Sequence, residues 1–455
     1  MKITHHLWVV ILLVWTVGCS VPQTTESPAR STEGQVVLYL QQMPQSTQYL
    51  RFTVDTISAI GPNDSRMPLE LAFNDLIGRD LLERQRQLAA GYLPPGSYSG
   101  LEVLVGEAFL MGAEGEATLL VDEKPVFIAR PFEVIRGEAV VLFLSVESAG
   151  MTAGEVVFEP QFSLVTASRQ LFNLNGYVSN PGTNRLTVFN KKTMQVTNVI
   201  ATGRKPTGMV IARLRKRLYV ACLDDDRIEE IDIADNTVRN RIELRVGDGP
   251  IDLALTADGQ SLLSANFRSN TVSLIDLRSR VEITRFSVGR RPAAVVADAT
   301  GTYAFSVNSL SNSVTVIDLP RLAPVASLPV ETTPLRAALE PAGGRLFVIN
   351  RDSPNLSVIR AEPLQVTDRV FTGAGAISIV ADPQSRLVYV GNDTGDIQVF
   401  DPTSLMFVDS ITAEGPVKHL TIDREENCLF AVRPEKRVLQ KVNLTSKRIL
   451  SEIEV

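Results

Sequence analysis

Beyond its first six residues the chain holds a single histidine, His419. That count limits the chemistry on offer. A haem, a multinuclear copper centre or a catalytic zinc recruits several His or Cys ligands, so no cofactor and no metal are expected. A Ser–His–Asp triad would have to be built around His419, and no G-x-S-x-G turn is present. Asp252 with His419 is the one pair available for general acid–base work. If the task is binding, Arg336 and Ser378 extend the same set. The acidic stretches Gly61–Arg66 (GPNDSR) and Asp224–Asp226 (DDD) carry oxygen ligands. They lack the fixed alternation ending in a bidentate Glu that a calcium loop uses, and they read as solvated turns.

These four side chains are grouped by a repeat. SNTVSLID (Ser269–Asp276) returns 42 residues later as SNSVTVID (Ser311–Asp318). Similar runs end at Asn190, Asp232, Arg360, Asp401 and Asn443, at intervals of 41 to 44 residues. A second run precedes each, ending at Asn180, Cys222, Asn266, Asn308, Asn350, Asn392 and Arg433. A proline opens a third run at Pro206, Pro250, Pro292 and Pro334, with Ala376 and Val417 in its place later. Bursts of four to six residues with alternating β-branched side chains, separated by Gly, Pro, Asn or Asp, are strands. Four strands in a period near 42 define a β-propeller blade.

Seven blades are counted. The last ends with RILSEIEV at the C-terminus, so the first is expected to take its innermost strand from Phe162–Ser168 (FSLVTAS). Val272, Leu274, Val314 and Val316 are expected in one inter-blade layer, Ile275 and Ile317 in the other. Asp276 and Asp318 should bind turn amides. Two residues beyond each marker of the innermost strands stand Gly208, Asp252, Ala294, Arg336, Ser378 and His419, between mostly apolar flanks. They line the central channel. Two readings stay open: polar residues that merely solvate it, or a grip on a small polar ligand or a partner's loop by Asp252, Arg336, Ser378 and His419.

The repeat resembles the YVTN-type propeller repeat of bacterial surface and periplasmic proteins. Its second strand here reads YVAC, FVIN and YVGN. The resemblance runs from about Phe158 to Val455 and implies a rigid binding platform. Some propellers of this kind hydrolyse lactones, which implies a lactonase or lyase at the channel as the alternative. WD40 repeats are excluded, because the two Trp, Trp8 and Trp15, both precede the repeat.

Gly34–Gly150 has no such period. It carries the strand runs QVVLYL, YLRFTVDTIS, SGLEVLV, PVFIARPFEVI and AVVLFLSVES. Asn74–Ala90 has helical spacing of Leu76, Ile77, Leu81 and Leu88, with Asn74 as its cap. The turn around Leu93, Pro94, Gly96 and Tyr98 resembles that of a prealbumin-like β-sandwich of bacterial lipoproteins, a domain without known role.

The N-terminus sets the compartment. Lys2 precedes the apolar run Leu7–Trp15 (LWVVILLVW), too short for a membrane span, and TVGC ends at Cys19. This resembles a bacterial lipobox, with Thr16 where Leu is usual. It implies a lipidated Cys19, and Ser20 implies the outer membrane by Gram-negative sorting rules. The resulting division is residues 1–19 signal and lipidation, 20–34 flexible tether, 35–155 sandwich and 156–455 propeller. The fold class is all-β: a seven-bladed propeller, four strands per blade, after a β-sandwich with one helix. With a net charge of −6, the chain offers no basic face for nucleic acid. Its longest basic run, Arg213–Arg217 (RLRKR), falls in a turn. Cys222 and Cys428 lie in non-neighbouring units and are expected as separate buried thiols. The expected function is that of a non-catalytic, lipid-anchored scaffold at the cell envelope, binding a partner protein or small ligand.

Overall fold

The computed structural model describes residues 32–455 except 83, 113–114, 148–151, 154–156, 167–173 and 341–343. The signal, Cys19 and most of the tether lie outside the described residues. No described helix is long and apolar enough to cross a membrane.

Seven separate antiparallel sheets follow one another from Asn175 to Glu454. Blade 3 is typical, with strands Pro250–Leu255, Ser261–Asn266, Thr271–Asp276 and Val281–Ser287 from the axis outward. The alternation in Thr271–Asp276 places side chains as its period of two requires. Val272 and Leu274 pack with Val295, Ala304 and Ile317 of blade 4. Ile275 turns the other way, to Tyr219, Ala221 and Ile228 of blade 2. One blade on, Val314 and Val316 meet Leu346, Val348 and Ile359 of blade 5. Each buried Val, Leu or Ile contributes about 1.5–3 kcal/mol, and a lone four-stranded blade would leave both faces wet. Asp276 Oδ1 accepts the Ser279 amide at 2.6 Å, and Asp318 Oδ1 that of Arg321 at 2.8 Å. Both aspartates thus close the turn to the outer strand. Arg213–Arg215 is a 3-10 turn between the first two strands of blade 2.

Two expectations are corrected. Among the described residues blade 1 has three strands, Asn175–Asn180, Arg185–Asn190 and Gln195–Ala201, where four were expected. The segment assigned as its innermost strand does form a strand, Gln161–Thr166, but in the N-terminal domain. It pairs antiparallel with Ala139–Glu147, Phe162 opposite Val146 and Leu164 opposite Leu144. Leu164 is buried in the core there. The N-terminal sheet therefore extends beyond the boundary at 155. The helix expected over Asn74–Ala90 is only Gly78–Leu81, flanked by strands Asp75–Ile77 and Arg86–Leu93. Leu76, Leu81 and Leu88 still reach one core. Their spacing suits two short strands joined by a helical turn as well as it suits one helix.

The N-terminal segment is a single twelve-stranded sheet curled around that core. Its strand Gly34–Leu40 is buried along its whole length. Val36, Leu38 and Leu40 face the domain's own core, while Val37 and Tyr39 face the propeller. Ala139–Glu147, its parallel partner, divides likewise: Leu142, Leu144 and Val146 inward, Val141 and Phe143 outward. Strands covered on both faces read as unbroken apolar runs, and VVLYL and VVLFL are such runs. The outward residues pack on Phe189, Met194, Val196 and Val199 of blade 1 and on Cys428, Phe430, Leu439 and Ile453 of blade 7. The Gln85 amide binds both backbone groups of Val196, at 2.6 and 3.3 Å. The domain thus lies over the seam where the ring closes. At the seam Phe189 and Phe430 meet edge-on, 5.7 Å between centroids.

Candidate site at the channel mouth

The loops around the upper end of the axis are fixed by the residue before each third strand. Asn184, Asp226, Asn270 and Asn312 adopt φ of 55°, 50°, 59° and 50°. Asn and Asp tolerate this left-handed conformation better than other side-chain-bearing residues. Each then accepts an amide from the loop leading to the next blade's inner strand. Lys205 N donates to Asn184 Oδ1 at 2.9 Å, Arg291 N to Asn270 Oδ1 at 2.8 Å, and Thr333 N to Asn312 Oδ1 at 3.0 Å. Asp226 accepts from both Gly247 and Gly249. The "SN" shared by the two repeats is therefore a loop staple.

Inside this collar the inner strands of blades 2 to 7 adjoin in order, and Asn175–Asn180 of blade 1 adjoins the inner strand of blade 2. Gly208 sits against Ile251 and Asp252 of blade 3. A Cβ there would lie 2.6 Å from Asp252 Cα, so no larger residue fits. Ala294 is buried. Asp252 Oδ2 accepts the Val295 amide at 3.1 Å across the blade 3–4 boundary. Its Oδ1 lies 3.4 Å from Arg336 Nη1, which also donates to the Ala293 carbonyl at 3.4 Å. Ser378 is buried, and its hydroxyl donates to the Val417 carbonyl of blade 7 at 2.6 Å. It is a strut between blades and presents nothing to the channel.

Sequence reasoning did not identify two further struts of this kind. Ser179 Oγ donates to the Thr207 carbonyl at 3.1 Å, and Thr207 Oγ1 to that of Pro250 at 3.3 Å. Their signal was available: small hydroxyl residues on strands that face the axis. The inward polar set thus divides. Ser179, Thr207 and Ser378 link blades, whereas Arg336 and His419 keep surface open to solvent.

His419 is exposed at the start of the inner strand of blade 7, His419–Asp423. Desolvation, with a smaller contribution from the Arg336 charge, depresses its pKa to about 4. The imidazole is neutral at pH 7 and offers one donor and one acceptor. Burial acts on Asp252 in the opposite sense and raises its pKa, with the Arg336 charge and the Val295 amide opposing. One guanidinium therefore acts on both titratable groups.

The other candidate chemistry is occupied in the structure. Asp224 meets Arg268 and Lys205, Asp225 meets Arg204 and Arg227, and Asp226 holds backbone amides. Among the described residues no three His, Cys, Asp or Glu are grouped to hold a metal ion. Cys222 and Cys428 are both free and buried.

Sheet order and channel together define a seven-bladed β-propeller joined to an N-terminal curled sheet. Residues 177–370 match a family model described as YNCE-like beta-propeller. No curated protein matches the chain. Among solved structures, Kuenenia stuttgartiensis hydrazine synthase is similar at TM-score 0.50 and 15% identity, covering 62% of this chain and 92% of that one. A functionally unknown protein from Desulfotomaculum acetoxidans is similar at TM-score 0.55 and 15% identity, covering 61% and 95%. Likeness at this identity establishes the fold and no activity.

Proposed function

We propose that this protein is a non-catalytic binding scaffold of the bacterial cell envelope that receives a small polar ligand, or a partner protein's loop, at the channel mouth. The observation that carries this reading is the grouping of Asp252, Arg336 and His419 where six inner strands converge. Arg336 supplies a fixed charge with several donors, and His419 supplies a neutral donor and acceptor. Their rigid mounting favours recognition, because little side-chain entropy is lost on binding. Anchoring by lipid on Cys19, at the outer membrane, rests on TVGC followed by Ser20.

The reading as a lactonase or lyase needs Asp252 and His419 as an acid–base pair. A histidine with a pKa of about 4 is a weak base at neutral pH, and Asp252 is engaged by Arg336 and Val295. Both features favour binding over turnover.

The test is capture from detergent-solubilised native membranes, followed by mass spectrometry. Arg336→Ala and His419→Ala should lose the captured partner or ligand while both variants stay folded. Capture equal to wild type by both variants would overturn the channel assignment. Turnover of lactones that either substitution abolishes would replace it with the enzymatic reading.

A further inference from the structure

Arg84 and Arg86 lead into the strand Arg86–Leu93 of the N-terminal sheet, where that strand meets the outer strand of blade 7. Both arginines line two adjoining cavities. One, of about 470 Å³, is bounded by Arg79, Asp80 and Leu82. The other, of about 310 Å³, reaches blade 7 at Lys436, Val438, Glu452, Ile453 and Glu454. Cavities of this size suit a small molecule. None of Asp252, Arg336, Ser378 and His419 borders either one.

The cations of this cleft are mounted rigidly. The Arg86 guanidinium lies 4.0 Å from the centre of the Phe73 ring, and its Nε donates to Glu454 Oε2 at 3.0 Å. Ring and carboxylate fix the fork, and its terminal nitrogens enter no hydrogen bond among the described residues. Arg84 is exposed, and its side chain enters no ion pair among the described residues. Gln85 between them is buried and held on Val196, which pins the segment to blade 1. Across the cleft, Lys436 ends the 3-10 turn Pro434–Lys436. Lys436 meets Glu414 at 3.3 Å, and Arg79 meets Asp80 at 3.6 Å. All four of these side chains are exposed, and such pairs contribute little and yield readily to a better ligand. The other bordering acids are engaged. Glu454 holds Arg86, and Glu452 accepts Gln440 Nε2 at 2.5 Å, with the buried Arg433 guanidinium 3.8 Å away. The uncompensated charge is therefore positive.

We propose that this cleft is a second ligand site, which takes a small organic anion by a carboxylate or phosphate group. Arg84 and Arg86 hold the oxygens from the N-terminal sheet, and Lys436 holds them from blade 7. Guanidinium forks match either oxyanion in shape and charge. Leu82, Val438 and Ile453 supply apolar wall for the carbon frame. The ligand touches both parts of the chain, so its occupancy ties the N-terminal sheet to the propeller and stabilises the folded state.

Calorimetric titration of the full chain in detergent tests this, with inorganic phosphate and succinate as probes. A background of about 0.15 M chloride screens unspecific attraction to surface charge. At least one probe should bind at a single site with a Kd of about 1 mM or below, and should raise the melting temperature. Which probe binds identifies the acidic group. Arg84→Ala and Lys436→Ala, both at exposed positions, should each weaken binding about tenfold and leave the melting temperature of the unliganded protein unchanged. Absence of binding by either probe up to about 10 mM overturns the proposal. So does binding indifferent to both substitutions, and so does binding lost with Arg336→Ala, which would place the anion in the channel.

Discussion

Arg336 Nη1 lies 3.4 Å from Asp252 Oδ1, and the same guanidinium depresses the pKa of His419. Two inner strands that are not neighbours, those of blades 3 and 5, are thus linked across the inner strand of blade 4, whose Ala293 carbonyl Arg336 also binds. This cross-link is the electrostatic centre of the channel mouth.

Its removal has a defined signature. Arg336→Ala should raise the pKa of His419 from about 4 toward its ordinary value, though not fully, since desolvation is the larger cause. The same substitution should raise Asp252 further, because Arg336 opposes its burial. NMR titration of the imidazole and of the Asp252 carboxyl reads both shifts, and an unmoved His419 would refute the coupling.

Stability should depend on His419 below neutral pH. Its folded pKa of about 4 lies beneath the ordinary 6.5, so between these values the unfolded chain binds more protons. Its contribution is present above pH 6.5 and is lost as pH falls toward 4. His419→Gln should flatten the fall of melting temperature over that window.

The loop staple can be dissected at Asn312, held at φ 50°. Asn312→Gly tolerates the backbone and loses only the bond from the Thr333 amide, about 0.5–1.5 kcal/mol. Asn312→Ala adds left-handed strain of about 1–2 kcal/mol. Denaturant midpoints should therefore fall in the order wild type, Gly, Ala.

Closure of the ring depends on the seam. Phe430→Ala should cost about 3–5 kcal/mol, the range for a buried Phe in a core that relaxes little. A truncation beginning after Thr166 uncovers Phe189, Met194, Val196 and Val199, and should be insoluble or melt well below the full chain. A truncated propeller as stable as the parent would show that the N-terminal sheet is dispensable for closure.

The two described thiols should be inert in the fold. Burial pushes both Cys222 and Cys428 up from the ordinary thiol range, so thiolate is scarce and access is blocked. Alkylating reagents should label them only in denaturant, and labelling of Cys222 in native protein would contradict its placement.

How much of this was legible depends on the range of the interactions involved. Blade spacing and the inter-blade layers followed from periods of 42 and 2, since Val272 and Ile275 must point to opposite faces whatever surrounds them. The turn role of Asp276 and Asp318 is equally local. Ser378 was placed correctly on its strand, yet its role turned on a carbonyl 39 residues away, that of Val417. Strand position fixes direction; it does not say whether the neighbouring blade satisfies the group first.

By itself the sequence determined the propeller and its seven-fold repetition, because each blade states its own alternation and turn chemistry. It also placed His419 on the last blade's inner strand, which runs His419–Asp423. Only the tertiary structure decided which sheet received Phe162–Thr166, since a strand's hydrogen bonds go to whichever edge is nearest in space. It also decided that Leu76 and Leu88 belong to strands, that Val37 and Tyr39 close a seam between blades 7 and 1, and that Arg336 couples Asp252 to His419. Each of these rests on contacts between residues distant in the chain, which no local pattern encodes.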